Sequence, residues 1–275
     1  MLRGFNTAAS GMIANQRMQE TLSNNIANSD TPGYKADQGT MRAFPELLLQ
    51  QMGGETIPTS NGCLTLPTQK ELGSLNTGVY MQEAVPEFSQ GDLRETGSGT
   101  DLALLNGDLP DEEGFLFFNV QNADGEVRQT RNGNFTVDGD GFLTTNQGHY
   151  VLDNDGEPIQ TDGMEFTAQE DGTLEIGGEE VELGLSYSAN ASDMVKEGDD
   201  LYTPGEDADP VENARDIDGV NFEIRQNNLE GSNVDPSRTM TEMMNTYRTF
   251  EMNQRALKAY DQSMQKTVND VGKLG

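Results

Sequence analysis

The chain has 275 residues, with 47 acidic against 17 basic side chains and a formal charge of -30. That balance excludes electrostatic binding to nucleic acid or to an anionic membrane, since both need surfaces rich in Lys and Arg. A single Cys (Cys63) and a single His (His149) exclude an intramolecular disulfide, a cysteine-cluster metal site and a histidine-based zinc site.

The charge is unevenly placed. Residues 1–50 hold four basic and four acidic side chains, and residues 226–275 hold six of each. Residues 51–225 hold 7 basic and 37 acidic ones, so the whole net charge sits in the middle. An acidic solvated surface explains this. So does a polymer subunit, with neutral ends packed against copies and an acidic middle facing water.

The N-terminal stretch MLRGFNTAASGMIANQRMQETLSNNIAN has no apolar core of the kind a secretory signal needs. It predicts an amphipathic helix with the heptad seam Phe5, Ala8, Met12, Asn15, Gln19, Leu22 and Ile26. The flanking positions are uncharged, which suggests close neighbours on several sides. Asn28 and Pro32-Gly33 end the helix.

Turn signals then punctuate the middle. Asp124-Gly125, Asn132-Gly133, Asp138-Gly139, Gln147-Gly148, Asp155-Gly156, Asp162-Gly163 and Asp171-Gly172 separate short strand-like pieces such as FLFFNVQ and HYVLD. The spacing predicts an antiparallel β domain, barrel- or sandwich-like. Residues 53–78 and 192–219 read as loop or weak structure.

Asp235-Pro236 opens a second helix, with Asp as cap and Pro at the first helical position. Its seam is Met240, Met243, Tyr247, Phe250, Gln254, Leu257, Asp261, Met264, Val268 and Val271. Neither helix alone has a partner for its stripe, so the two are expected to pair as a coiled-coil stalk. The polar seam positions Asn15, Gln19, Gln254 and Asp261 weaken that pair. The monomer is therefore expected to have loosely ordered ends and a protease-resistant core near residues 36–226. The expected fold class is α+β. Its expected parts are an N-terminal core helix (1–35), a connector and loop (36–78), an acidic β domain (79–225) and a C-terminal core helix (226–275).

Catalytic chemistry finds little footing. VLDNDGE and TVDGDGF place Val151 and Thr136 where an EF-hand loop needs Asp, so turn chemistry explains these aspartates better than calcium does. There is no phosphate-binding Gly-Lys-Ser/Thr loop. His149 reads as a strand-edge residue and Cys63 as incidental. The expectation is no catalytic, cofactor-binding or metal site, no cofactor, no nucleic-acid partner and no small-molecule substrate.

Three stretches together carry a resemblance. They are LSNNIANSDTPGYK (22–35), the span from FSQGDLRETGSGTDLALL to RQTRNGNFTVDGDGFLTTNQGHYVLDNDGEPI, and NNLEGSNVDPSRTMTEMMNTYRTFEMNQRALKAYDQSMQKTVNDVG. They resemble, in order, blocks of the bacterial flagellar rod and hook protein family, and most of all the distal-rod type of Gram-positive flagella. The chain departs from the family pattern at an acidic insertion, Asp108–Glu113, and over residues 53–75.

The resemblance implies a structural rod subunit of the basal body, not an enzyme. It implies export through the flagellar type III apparatus to an extracytoplasmic position, and assembly with copies of itself and other rod and hook proteins. The interface expected from the seams is Phe5, Met12, Leu22, Ile26, Met240, Met243, Tyr247, Phe250, Leu257, Met264, Val268 and Val271. The competing expectation, from the acidic β pattern alone, is a secreted carbohydrate-binding or hydrolytic protein with a helical stalk.

Overall fold

The computed structural model describes residues 2–59, 62–111, 113–198, 200–206 and 208–272. Helix α1 (Leu2–Ala27) and helix α2 (Pro236–Gly272) bracket a long series of short strands. The class is α+β, with an antiparallel β domain in mid-chain. Two compact bodies form. One holds residues 1–22, 39–84 and 240–275; the other holds residues 23–38 and 85–239.

The second body is built around the strand Phe115–Gln121. Alternation sends its side chains to opposite faces. Leu116, Phe118 and Val120 enter one core with Leu102, Phe135, Leu143, Leu174 and Leu185. Phe115 and Phe117 enter another with Met194 and Tyr202. Both faces are covered, which is why FLFF is an unbroken apolar run. Fully burying each such ring is worth roughly 1.5–3 kcal/mol.

The register fixes the strand's neighbours. Phe118 pairs with Thr130 on one side and Leu185 on the other, and Val120 pairs with Val151. The resulting nine-stranded sheet runs from Met194–Gly198 at one edge to Phe135–Val137 at the other. Its end strands do not meet, so the sheet is open and not a closed barrel.

The Asp and Asn residues of the turns bind backbone. Asp138 Oδ1 accepts from the amides of Asp140 (3.0 Å) and Phe142 (2.8 Å). Asp153 Oδ1 accepts from those of Asp155 (2.9 Å) and Glu157 (2.8 Å). These carboxylates serve the turn chemistry expected of them. At the Asp138 turn the residue with positive φ is Gly141 (87°), two places beyond the glycine singled out in the sequence.

Two stretches differ from their loop reading. Within residues 53–78 the backbone continues an antiparallel ribbon, Leu47–Thr59 with Gly62–Leu75, in which Pro58 faces Cys63 and Pro67 faces Gly54. Prolines argue against a central strand. In a two-stranded ribbon each strand is an edge, where a missing N–H is tolerated. Within residues 192–219 the strands Met194–Gly198 and Leu201–Pro204 pair antiparallel, and Glu212–Asn213 pairs with Leu185–Ser188. Buried Met194, Leu201 and Tyr202 hold this segment against the sheet, although its composition is that of a loop.

The acidic insertion is partly integrated. Asp111 Oδ2 accepts from the Tyr187 hydroxyl at 3.0 Å. Burial and the Asp111 carboxylate push the Tyr187 phenol up to about 12. Glu112 lies outside the described residues.

Candidate functional site

Among the described residues no group of three or more His, Cys, Asp or Glu is placed to hold a metal ion. Two other features carry the interest: a buried charge cluster in the second body and the helix faces of the first.

The cluster gathers residues far apart in the chain. After α1 ends, the turn at Pro32-Gly33 brings the backbone against the β domain. Gly33 has φ 71°, and a Cβ there would overlap the backbone of Arg131. The Gly33 amide donates to Glu230 O at 2.8 Å. Lys35 is fully buried, and its ammonium donates to Glu230 Oε1 (2.6 Å) and Ser89 O (2.7 Å). Arg131 Nε donates to Glu230 Oε2 at 2.5 Å. Its remaining nitrogens donate to Leu116 O (2.6 Å), Gln90 Oε1 (3.0 Å) and Leu104 O. The Gly91 amide donates to Glu230 Oε1 at 2.9 Å. Both cations lie over the Phe115 ring, Lys35 at 4.8 Å and Arg131 at 4.5 Å from its centroid.

Two cations share one carboxylate in this buried site. Burial lowers the Lys35 ammonium to about 8; the Glu230 charge opposes the shift and the Arg131 charge adds to it. Burial also lowers Arg131. For Glu230 burial acts upward, but the charges of Arg131 and Lys35 outweigh it and hold the carboxyl below its ordinary range.

A hydrogen-bonded network adjoins the cluster. The Tyr34 hydroxyl lies 3.1 Å from Asn25 Oδ1, and Asn25 Nδ2 donates to Asp37 O at 2.8 Å. Asn233 Oδ1 accepts from the Ala36 amide (2.7 Å), while its Nδ2 donates to Glu87 O (2.7 Å). Lys196 Nζ lies 3.6 Å from the Tyr34 ring centroid. The last residues of α1 and the first of α2 belong to this body. Asp235 caps α2, its Oδ1 accepting from the amides of Ser237 (2.9 Å) and Arg238 (3.1 Å), as the sequence signal requires. The roots of both helices are thus pinned to the β domain.

Sequence reasoning named no role for Lys35, Arg131 or Glu230. The available signal was that TPGYK, TRNG and LEGSN each carry one charged residue amid uncharged turn residues.

In the first body the helices touch through glycines. A Cβ at Gly4 would overlap the Tyr260 hydroxyl, and one at Gly11 would come within 2.9 Å of Asn253 Nδ2. The glycines are one heptad apart, as are their partners, in opposite chain directions. On α2 the face with Asn253 and Tyr260 also holds Thr246, Phe250, Leu257 and Met264, all at least half-buried. On α1, Ala8, Gly11, Asn15 and Leu22 are buried. Asn15 satisfies itself by donating to Gly11 O at 2.6 Å. Of the expected seam residues, Leu22 is buried, and Phe5, Met12, Ile26, Met243, Phe250, Leu257 and Met264 are half-buried. Met240 (52%), Tyr247 (57%) and Val268 (70%) stand exposed, and the side chain of Val271 lies outside those described.

The face turned inward is therefore offset by one residue at alternate seam positions. Gly4 and Gly11, which have no apolar side chain to be counted, leave the space that the Tyr260 and Asn253 side chains fill.

Comparison with known proteins agrees with these landmarks. Residues 5–35 match the model described as flagella basal body rod protein. Residues 113–176 match the flagellar hook protein FlgE/F/G D1 domain, and residues 225–270 the flagellar basal body rod FlgEFG protein C-terminal. The flagellar hook-basal body complex protein FlhO of Bacillus subtilis is 41% identical over the full length of both chains. The basal-body rod protein FlgG of the same organism is 30% identical, covering 98% of this chain and 99% of the relative. FlgG of Agrobacterium fabrum is also 30% identical, over 95% and 96%. The chain belongs to the flagellar basal-body rod and hook family. It is a structural subunit of the basal body.

Proposed function

We propose that the chain polymerises through its terminal helices into the distal rod, the shaft that links motor and hook. Residues 1–35 and 226–275 form the helical core of the assembly as a coiled-coil stalk, residues 36–78 connect, and the acidic residues 79–225 face water. The partners are copies of this chain and other rod and hook proteins, reached after passage through the type III export apparatus.

The observation that carries this reading is a second apolar stripe on α2. Met240, Met244 and Tyr247 lie on one face with exposures of 52, 59 and 57%. A different face, about a third of a turn away, is already occupied within the chain by the contacts of Asn253 and Tyr260 with Gly11 and Gly4. The ends carry no net charge, so copies meet there without repulsion. A stripe on one copy that fits a different surface on the next gives a heterologous, non-closing contact, as a tube requires. The expected interface then divides in two. Met240, Tyr247 and Val268 touch neighbouring copies, while Met243, Phe250, Leu257 and Met264 first hold α1. The carbohydrate reading has no observation in its favour.

Two substitutions test this. Tyr247→Asp should leave the monomer folded and stop rod assembly. Phe250→Asp should lower the stability of the monomer itself. A strain carrying Tyr247→Asp should be non-motile and yield basal bodies lacking this subunit. Normal motility and incorporation would remove the stripe from the interface.

A further inference from the structure

We propose that Lys35, Arg131 and Glu230 form a pH-responsive latch at the helix roots, in which loss of the Lys35 proton strengthens the hold of residues 33–35 and 230–233 on the β domain. The geometry carries the argument. Protonated, the cluster places two cations on a single carboxylate and over a single ring, 4.8 and 4.5 Å from the Phe115 centroid. Their repulsion is unscreened by water, since all three side chains are buried. A neutral amine keeps two N–H groups, and Lys35 Nζ has two acceptors, Ser89 O and Glu230 Oε1. Deprotonation therefore breaks no hydrogen bond. Glu230 still receives Arg131 Nε and the Gly91 amide. What remains is one cation on one carboxylate.

The charged groups on the adjoining side are Asp37, Lys196 and Asp200, with the phenols of Tyr34 and Tyr202. Lys196 Nζ lies 3.5 Å from the Lys35 carbonyl oxygen and 3.8 Å from Asp37 Oδ2. Both phenols are raised by burial and stay protonated through mildly alkaline pH. Lys196 is lowered by burial and is the one neighbour that needs its own control.

Lys35 is lowered to about 8 in the folded chain, whereas an unfolded lysine titrates near about 10.4. Below both values the two states bind the same number of protons. Between them the unfolded state binds more, so stability rises with pH. The unfolding constant of this body should fall about tenfold between pH 7 and pH 9.

The test uses the full chain. Carbon-13 at the Cε of its six lysines should show one signal moving near pH 8, absent in Lys35→Met and retained in Lys196→Met. Urea unfolding should show the alkaline gain in the wild type and Lys196→Met, and a clearly smaller one in Lys35→Met. If Lys35→Met does not fold, the wild-type and Lys196→Met titrations decide. Six lysines all titrating above pH 10, or equal pH profiles for wild type and Lys35→Met, would overturn the latch. The test is made on the monomer, so its outcome is separate from whether rods form.

Discussion

The Tyr260 hydroxyl occupies the space that a side chain at Gly4 would need. One heptad along, Asn253 stands in the same relation to Gly11. Glycine in a helix interior costs about 1 kcal/mol relative to alanine, so its use here needs a return. The return is room for the Tyr260 and Asn253 side chains of α2 against the backbone of α1. Gly11→Ala should be nearly neutral in urea unfolding, because better helix propensity offsets a small shift of the Asn253 amide. Gly11→Leu cannot be absorbed that way and should cost about 1–3 kcal/mol, the usual range for overpacking. Equal stabilities for the two variants would show that the approach is not tight.

Glu230 holds a different position in the energetics. It is the counter-charge for two buried cations, so Glu230→Gln leaves both uncompensated. Removing one partner of a buried ion pair costs about 3–5 kcal/mol. Glutamine keeps an acceptor oxygen and a similar volume, so packing does not explain such a loss. Urea unfolding at pH 7 should show it, and the double variant Glu230→Gln with Lys35→Met should recover part of it. No recovery would mean that the two residues are not coupled.

The same cluster changes the expected outcome of limited proteolysis. A core near residues 36–226, the boundary suggested by sequence, omits both Lys35 and Glu230 and strands Arg131 as a buried charge. The fragment that resists protease should instead retain residues 23–38 and extend to about residue 239, following the second body. Mass spectrometry of the trimmed product distinguishes the two. A stable fragment ending before Glu230 would show that Arg131 finds another partner.

That boundary shows where the sequence was legible and where it was not. Periodicity and capping located α1 and α2, and the Asp-Gly pairs located turns, because these signals are local; Asn132-Gly133 marks no turn, and Gly133 instead packs against the Leu102 carbonyl. The helix contact face was half legible. Met243, Phe250, Leu257 and Met264 announce themselves as apolar, whereas Gly4 and Gly11 contribute by lacking a side chain. The charge cluster was not legible as a unit. Lys35, Arg131 and Glu230 meet only through the register of the chain around Phe115, and nothing within any one segment specifies a partner in another.

The charge map makes a further demand on assembly. In the proposed rod, stacked copies would bring acidic middles together, since residues 51–225 hold 37 acidic and 7 basic side chains. Their repulsion reaches about 30 Å at 0.01 M salt and about 8 Å at 0.15 M. The exposed stripe of Met240, Met244 and Tyr247 attracts at any ionic strength, because apolar burial does not depend on charge. Self-association should therefore strengthen as salt rises, opposite to the behaviour of a nucleic-acid binder. Asp111 is a poor choice for neutralisation, because it accepts the Tyr187 hydroxyl. Glu175 and Glu180 are better: they stand directly opposite each other across two strands, and both are exposed. Replacing both by Gln removes a like-charge pair that costs about 0.2–1 kcal/mol in the sheet. It should also move the onset of association to lower salt without changing its limit at high salt. Tyr247→Asp should instead reduce association across the whole series. Sedimentation velocity from 0.01 to about 1 M salt separates these cases. Association that weakens with salt would mean that ion pairs, not the apolar stripe, join the copies.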